Sequence, residues 1–190
     1  AVEHGFHELD DGTRIEAGRI QTNACNIDFA SVGFDNQFPQ APVVLTTVGS
    51  FNDPSAVISR LHFTSAYGFE VQMEEQEGSD QSHATETIGY VAWQGAAGTS
   101  NSVTYEAGVT PKAFTDEPNA LRFTTGFSAT PVFLAAMQNM NGPDTANLRL
   151  VSTYPRQATL LVDEEQSRDS ETNHLPERVG YLCLLPAAAD

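Results

Sequence analysis

The sequence predicts an all-β chain built from two tandem antiparallel β-sandwiches. Three observations carry that expectation: apolar and polar residues alternate at period two in several runs, no segment sustains a 3.6-residue period, and the chain repeats itself once along its length. The repeat shows first in Phe34-x3-Phe38-x3-Pro42-Val43 and Phe123-x3-Phe127-x3-Pro131-Val132, 89 residues apart. The same offset relates Arg60 to Arg149, Val71 to Leu160 and Glu75 to Glu164. A two-residue insertion then moves it to 91, where His83-Ala-Thr-Glu86-Thr-Ile-Gly89-Tyr90 falls on His174-Leu-Pro-Glu177-Arg-Val-Gly180-Tyr181. Upstream, Glu16-Ala17-Gly18 answers to Glu106-Ala107-Gly108 at an offset of 90. Matches in one order, rare residue types included, divide the chain into copies at residues 1–96 and 97–190. The Gly, Ala, Thr and Ser stretch Gly95–Asn101 reads as the linker between them, and residues 1–5 read as the tail of a preceding copy, which implies a piece of a longer polypeptide.

Taken in chain order, Pro42-Val-Val-Leu-Thr-Thr-Val48 is a β-rich run that begins after a proline, a position a strand tolerates. Phe69-Glu-Val71-Gln-Met73-Glu alternates, putting Phe69, Val71 and Met73 on one face and polar groups on the other. Ile88-Gly-Tyr90-Val-Ala92-Trp93 is apolar on both faces, as suits a central strand or one covered by a neighbour. The second copy repeats the three as Pro131–Met137, Ala158–Val162 and Val179–Leu184. Turn-rich segments such as Asn52-Asp-Pro-Ser55, Gly78-Ser-Asp80 and Asn141-Gly-Pro-Asp144 separate them. About 90 residues per copy with short, regularly spaced strands is the sandwich pattern.

Charge narrows the function classes. In 190 residues, 9 Lys and Arg stand against 25 Asp and Glu, a net charge of −16. Nine scattered basic residues do not make the face that neutralises phosphates, which excludes a backbone-tracking nucleic-acid binder and adhesion to an anionic membrane surface. No apolar run is long enough to cross a bilayer. One lysine, many amides and hydroxyls and a high negative charge suit a secreted protein kept soluble in salty water. Cys25 and Cys183 lack metal-ligand spacing, and their pairing is left open.

The order Phe-x3-Phe-x3-Pro-Val, a strand arginine, Gly-Phe-Glu-Val and a closing Gly-Tyr-Val-Ala-Trp strand resembles the H-type lectin domain. The acidic run ahead of His83-x2-Glu86-Thr-Ile-Gly-Tyr90 also resembles repeats of large secreted bacterial proteins, including polysaccharide-degrading ones. The resemblance spans both copies nearly end to end. It implies a six-stranded sandwich and a non-catalytic, carbohydrate-binding role for a module of a larger extracellular protein.

The candidate ligand set is Arg60, Glu75, His83, Glu86 and Tyr90, duplicated as Arg149, Glu164, His174, Glu177 and Tyr181, with Trp93 as a lone aromatic platform. Guanidinium, carboxylate, imidazole and phenol groups hydrogen-bond sugar hydroxyls, and an aromatic face packs on a ring's C–H surface. The same residues suit an internal lock in which His83 and Glu86 pair with each other or with Arg60. Trp93 suits burial between the copies as well as exposure to a ligand. The acidic loops Glu74, Glu75, Glu77 and Asp80, and Asp163, Glu164, Glu165 and Asp169, fit a solvated face. Calcium is optional there, since no EF-hand pattern is present and no cofactor is required. No nucleophile elbow, His-Glu-x-x-His or phosphate loop points to catalysis. A neutral or weakly charged polysaccharide is the expected partner, because the acidic loops repel an anionic one. The alternative is a structural or adhesive repeat that spaces an extracellular protein. That alternative buries the Arg and aromatic groups in satisfied pairs, whereas a ligand site leaves them exposed together.

Overall fold

The computed structural model describes residues 2–187, which form fourteen β-strands and, among the described residues, no helix. The first unit contains β1 (Gly5–Glu8), β2 (Arg14–Thr22), β3 (Ala30–Gly33), β4 (Val43–Val48), β5 (Val57–Thr64), β6 (Gly68–Glu75) and β7 (Glu86–Trp93). The second contains β8 (Ala96–Ser100), β9 (Val103–Val109), β10 (Asn119–Arg122), β11 (Val132–Met137), β12 (Ala146–Tyr154), β13 (Gln157–Glu164) and β14 (Val179–Pro186). Every strand pairing is antiparallel. In the first unit a four-stranded sheet, β1-β2-β7-β4, stacks on a three-stranded one, β3-β6-β5. The second repeats the order as β8-β9-β14-β11 and β10-β13-β12. Even the irregularities repeat: β5 slips register between Leu61 and Phe63, and β12 between Leu150 and Ser152, 89 residues on. A β-bulge at the same place in both units bends both edges alike.

Each unit has seven strands where the lectin resemblance implies six, and the segment expected as a linker is itself β8. Ala96 to Ser100 pair with Ala107 to Val103, and the chain reverses through Asn101 and Ser102, both at positive φ (47° and 62°). Two consecutive left-handed residues are what a two-residue hairpin turn matching strand twist requires. The small residues that suggested a linker thus make an edge strand, and the units follow one another with only Gln94 and Gly95 between β7 and β8.

The predicted alternation places the core. Phe69, Val71 and Met73 of β6 bury among Phe38, Val44, Leu61 and Ile88, and Ala158, Leu160 and Val162 of β13 bury among Phe123, Phe127 and Tyr181. The Phe-x3-Phe segments lie against these cores, Phe34 edge-on to Phe38 and Phe123 edge-on to Phe127. A third cluster explains why β7 and β14 are apolar on both faces. Trp93 and Val91 on the outer face of β7 pack with Ile15 and Val43 against Tyr105, Ala107, Leu182 and Leu184 of the second unit. Each large apolar side chain so covered contributes about 1.5–3 kcal/mol, so the units share a core. Cys25 and Cys183 are free and buried, one in each unit's own core.

Candidate functional site

The sequence-predicted residues assemble into two copies of a buried lock. In the first unit β6 ends on Glu75, and His83 returns after the acidic loop so that Nδ1 lies 2.9 Å from Glu75 and Nε2 3.5 Å from Glu86 at the start of β7. Glu75 and Glu86 are 0% and 1% exposed. Glu86 accepts hydrogen bonds from the Ser50 hydroxyl and from the backbone N–H groups of Asn52 and Asp53. These bonds, Ser50 first, hold its carboxyl below the usual range against the effect of burial. In the second unit His174 Nδ1 meets Glu164 at 2.5 Å and Nε2 meets Glu177 at 3.2 Å, all three buried. Burial opposes a charge on His174, yet the carboxylates of Glu177 and Glu164 raise its pKa. An imidazole clamped between two carboxylates fastens the long acidic loop to the sandwich end.

Tyr90 and Tyr181 face inward too. Tyr90 donates to Glu16 at 2.9 Å and Tyr181 to Glu106 at 2.7 Å, and burial followed by the neighbouring carboxylate raises both phenols. Glu106 also accepts from the Thr124 N–H, and its bonds outweigh burial to lower its pKa. A Cβ built on Gly18 would sit 2.6 Å from the Tyr90 ring, and one on Gly108 3.0 Å from the Tyr181 oxygen. The repeated Glu-Ala-Gly is therefore a tyrosine receptor: the glutamate accepts the hydroxyl's hydrogen bond and the glycine leaves room for the ring. Glu16 and Glu106 were legible only as part of a repeat, because a carboxylate on an alternating strand reads as solvent-facing.

Arg60 and Arg149 part company. Arg60 is 2% exposed and leaves its own unit: NH1 donates to Met137 Sδ at 3.0 Å, and NH2 reaches Glu177 at 3.3 Å, while Nε lies 3.6 Å from Glu74. Burial raises the Glu74 carboxyl even with that guanidinium beside it. Arg149, its counterpart, bonds Asp163 at 2.6 Å with a side chain 67% exposed. Trp93, 8% exposed, sits between the units as one of its two expected placements. Thus the set expected to face a ligand together is buried, apart from the half-buried Tyr90 and the exposed Arg149.

The acidic loops meet across the unit boundary. The Glu77 N–H donates to Glu165, and the Gly78 N–H donates to Ser167 Oγ at 2.8 Å. Burial, then Asp144, Glu165 and Asp169, push the Glu77 carboxyl up to about 6. Two groups bring three metal-ligating atoms within 4.8 Å of one another, Asp53–Glu75–His83 and Asp144–Glu164–Glu171. They are the residues that could hold a hard cation, although the first is already occupied by the His83 lock. Beside the shared core, a cleft of about 860 Å³ opens between the outer faces of the two four-stranded sheets, holding Arg19, Thr47 and Trp93 on one wall and Leu134, Ala136 and Leu184 on the other. Its lining is mostly apolar.

Over 185 residues, 95% of its length, the chain is 30% identical to a stretch of Halomucin from Haloquadratum walsbyi (strain DSM 16790 / HBSQ001). That stretch is 2% of Halomucin, so the chain matches one small part of a much larger protein. No family model matches the chain, and no solved structure does. No helix is long and apolar enough to cross a membrane among the described residues.

Proposed function

We propose that the chain is a structural repeat module of a large extracellular protein, non-catalytic, in which paired sandwiches are fused into one body. The observation that carries this reading is the burial of both His–Glu locks in internal pairs, with the buried Arg60 crossing from one unit into the other. The match to a small part of a much larger chain supports it, as does a surface charge that keeps such a chain soluble. Buried ion pairs of this kind specify one arrangement of their elements more than they add net stability, which is what a spacer of defined shape needs.

Carbohydrate binding, which the H-type lectin resemblance implies, is the second reading. The cleft favours it, since Arg19 and Trp93 both line one wall. Arrays of plant and algal polysaccharides, probed with Ca²⁺ and with a chelator, separate the two. The structural reading predicts no retention under either condition. Glycan binding that a folded His83→Ala, His174→Ala variant loses would overturn it.

A further inference from the structure

The two locks differ in charge. In the second unit His174 faces Glu164 and Glu177, and the guanidinium of Arg60 comes across to Glu177 at 3.3 Å. In the first, His83 faces Glu75 at 2.9 Å, Glu86 at 3.5 Å and a third carboxylate, Asp53, at 3.9 Å. Among the described residues no guanidinium pairs with these three, because Arg149, the counterpart of Arg60, turns outward to Asp163. Three negative charges thus surround one imidazole, which carries at most one positive charge. Neutral donors satisfy the oxygens, the Gln81 N–H on Glu75 and the Ser55 and Ala84 N–H groups on Asp53, but they add no charge. Charges withdrawn from water are kept where they are paired or coordinate a metal.

The same groups have the geometry of ligands. One ligand atom each from His83, Glu75 and Asp53 lies within 4.8 Å of the other two. A tetrahedral ion with bonds of about 2.0–2.2 Å holds its ligands roughly 3.3–3.6 Å apart, and the 2.9 and 3.9 Å separations of Nδ1 from the two carboxylates bracket that spacing. The outer bonds suit it as well. Gln81 and Ala84 orient the second oxygens of Glu75 and Asp53, and Nε2 faces Glu86, as a metal-bound imidazole gives its other N–H to a carboxylate. The Asp53 side chain, 22% exposed, leaves a way in from solvent. The second unit lacks the third ligand: Asn141-Gly142-Pro143 answers to Asn52-Asp53-Pro54. There the backbone presses so close to the imidazole that a Cβ on Gly142 would lie 2.5 Å from His174 Cε1.

We propose that His83 Nδ1, Glu75 and Asp53 form a binding site for one divalent transition-metal ion, present in the first unit only. With one imidazole nitrogen among carboxylate oxygens, the ion it suits is a borderline one such as Zn²⁺ or Co²⁺ rather than Ca²⁺, which takes oxygen ligands alone. The ion binds the Nδ1 lone pair, the proton that Nδ1 shared with Glu75 leaves to solvent, and water completes the coordination. It ties the 50–55 loop to the end of β6, a task that Arg60 and Gly142 perform differently in the other lock. The proposal goes beyond the structural-repeat reading and does not depend on it.

Isothermal titration of the chelator-treated 190-residue chain with Zn²⁺, and visible absorption on adding Co²⁺, test this. The expected result is one tight Zn²⁺ site per chain, Co²⁺ absorption bands at the same stoichiometry, and a melting temperature that Zn²⁺ raises. Asp53→Asn, at a partly exposed position, keeps an acceptor for the loop and weakens Zn²⁺ binding about tenfold or more. His83→Gln abolishes the Co²⁺ bands, and His174→Gln leaves them unchanged, each variant checked for folding by circular dichroism. A folded parent that takes up neither ion would overturn the proposal, as would Zn²⁺ binding that Asp53→Asn keeps in full or that His174→Gln loses. A chain without affinity for either ion leaves the structural-repeat reading standing, since the His–Glu pairs hold without metal.

Discussion

At the scale of single residues, the polar groups that repeat along the chain are bound to each other. Removing the Tyr181 hydroxyl strands a buried Glu106, so Tyr181→Phe costs about 1–3 kcal/mol in chemical denaturation while the ring keeps its place. Tyr90→Phe acts alike on Glu16. His174 gives a pH signature. Its folded pKa is raised above the ordinary value near 6.5, so the protonated ring's contribution is fully present below about pH 6.5 and is lost as pH rises through the folded value. Melting temperatures of the chain and of His174→Gln measured from pH 5 to 9 are expected to differ most at the acid end and to converge as pH rises. A gap that widened with rising pH would contradict the lock. Residue identities were legible in the sequence through their repetition, but their direction was not. His83, Glu86 and Arg60 carry the chemistry of a sugar site as well as that of a salt-bridged lock, and only burial decides between these.

At the scale of elements, alternation read β6 and β13 correctly because each has one face on a core and one toward polar surroundings. The two-faced apolarity of β7 and β14 had two explanations, and both hold: each is central in its sheet, and each carries outer residues that meet the other unit. The linker expectation at Gly95–Asn101 failed because small residues suit an edge strand beside a tight turn as well as they suit a flexible joint. The acidic loops were read as solvated: Asp80 and Asp169 are exposed, whereas Glu74, Glu75 and Glu164 are buried, and Glu77, Asp144, Glu165 and Asp169 gather where the loops of the two units meet. Glu77, pushed up to about 6 by burial and those neighbours, is ionised at neutral pH at a cost to the fold. That cost is absent below the ordinary carboxyl pKa and grows as pH rises through about 6. Glu77→Gln is therefore expected to raise the melting temperature at pH 8 and to change it little at pH 4, and added salt should narrow the difference at pH 8. An equal effect at both pH values would mean that charge at this junction is not the cause.

At the scale of the whole molecule, the shared apolar cluster and the buried Arg60 make the two repeats one folding unit. A repeat could be found in the sequence because equal folds need equal patterns. The joint between copies could not, because it depends on the differences: Gln138 where the first copy has Gly49, Trp93 where the second has Leu184, and an arginine that leaves its own unit in one copy only. Differential scanning calorimetry of the chain beside Arg60→Ala tests the account at its centre. The account predicts a single transition for the parent, with calorimetric and van't Hoff enthalpies equal. For the variant it predicts a loss of about 3–5 kcal/mol, the cost of leaving Glu177 and Glu74 buried without their cation. Two separate transitions in the parent, or a variant as stable as the parent, would contradict it.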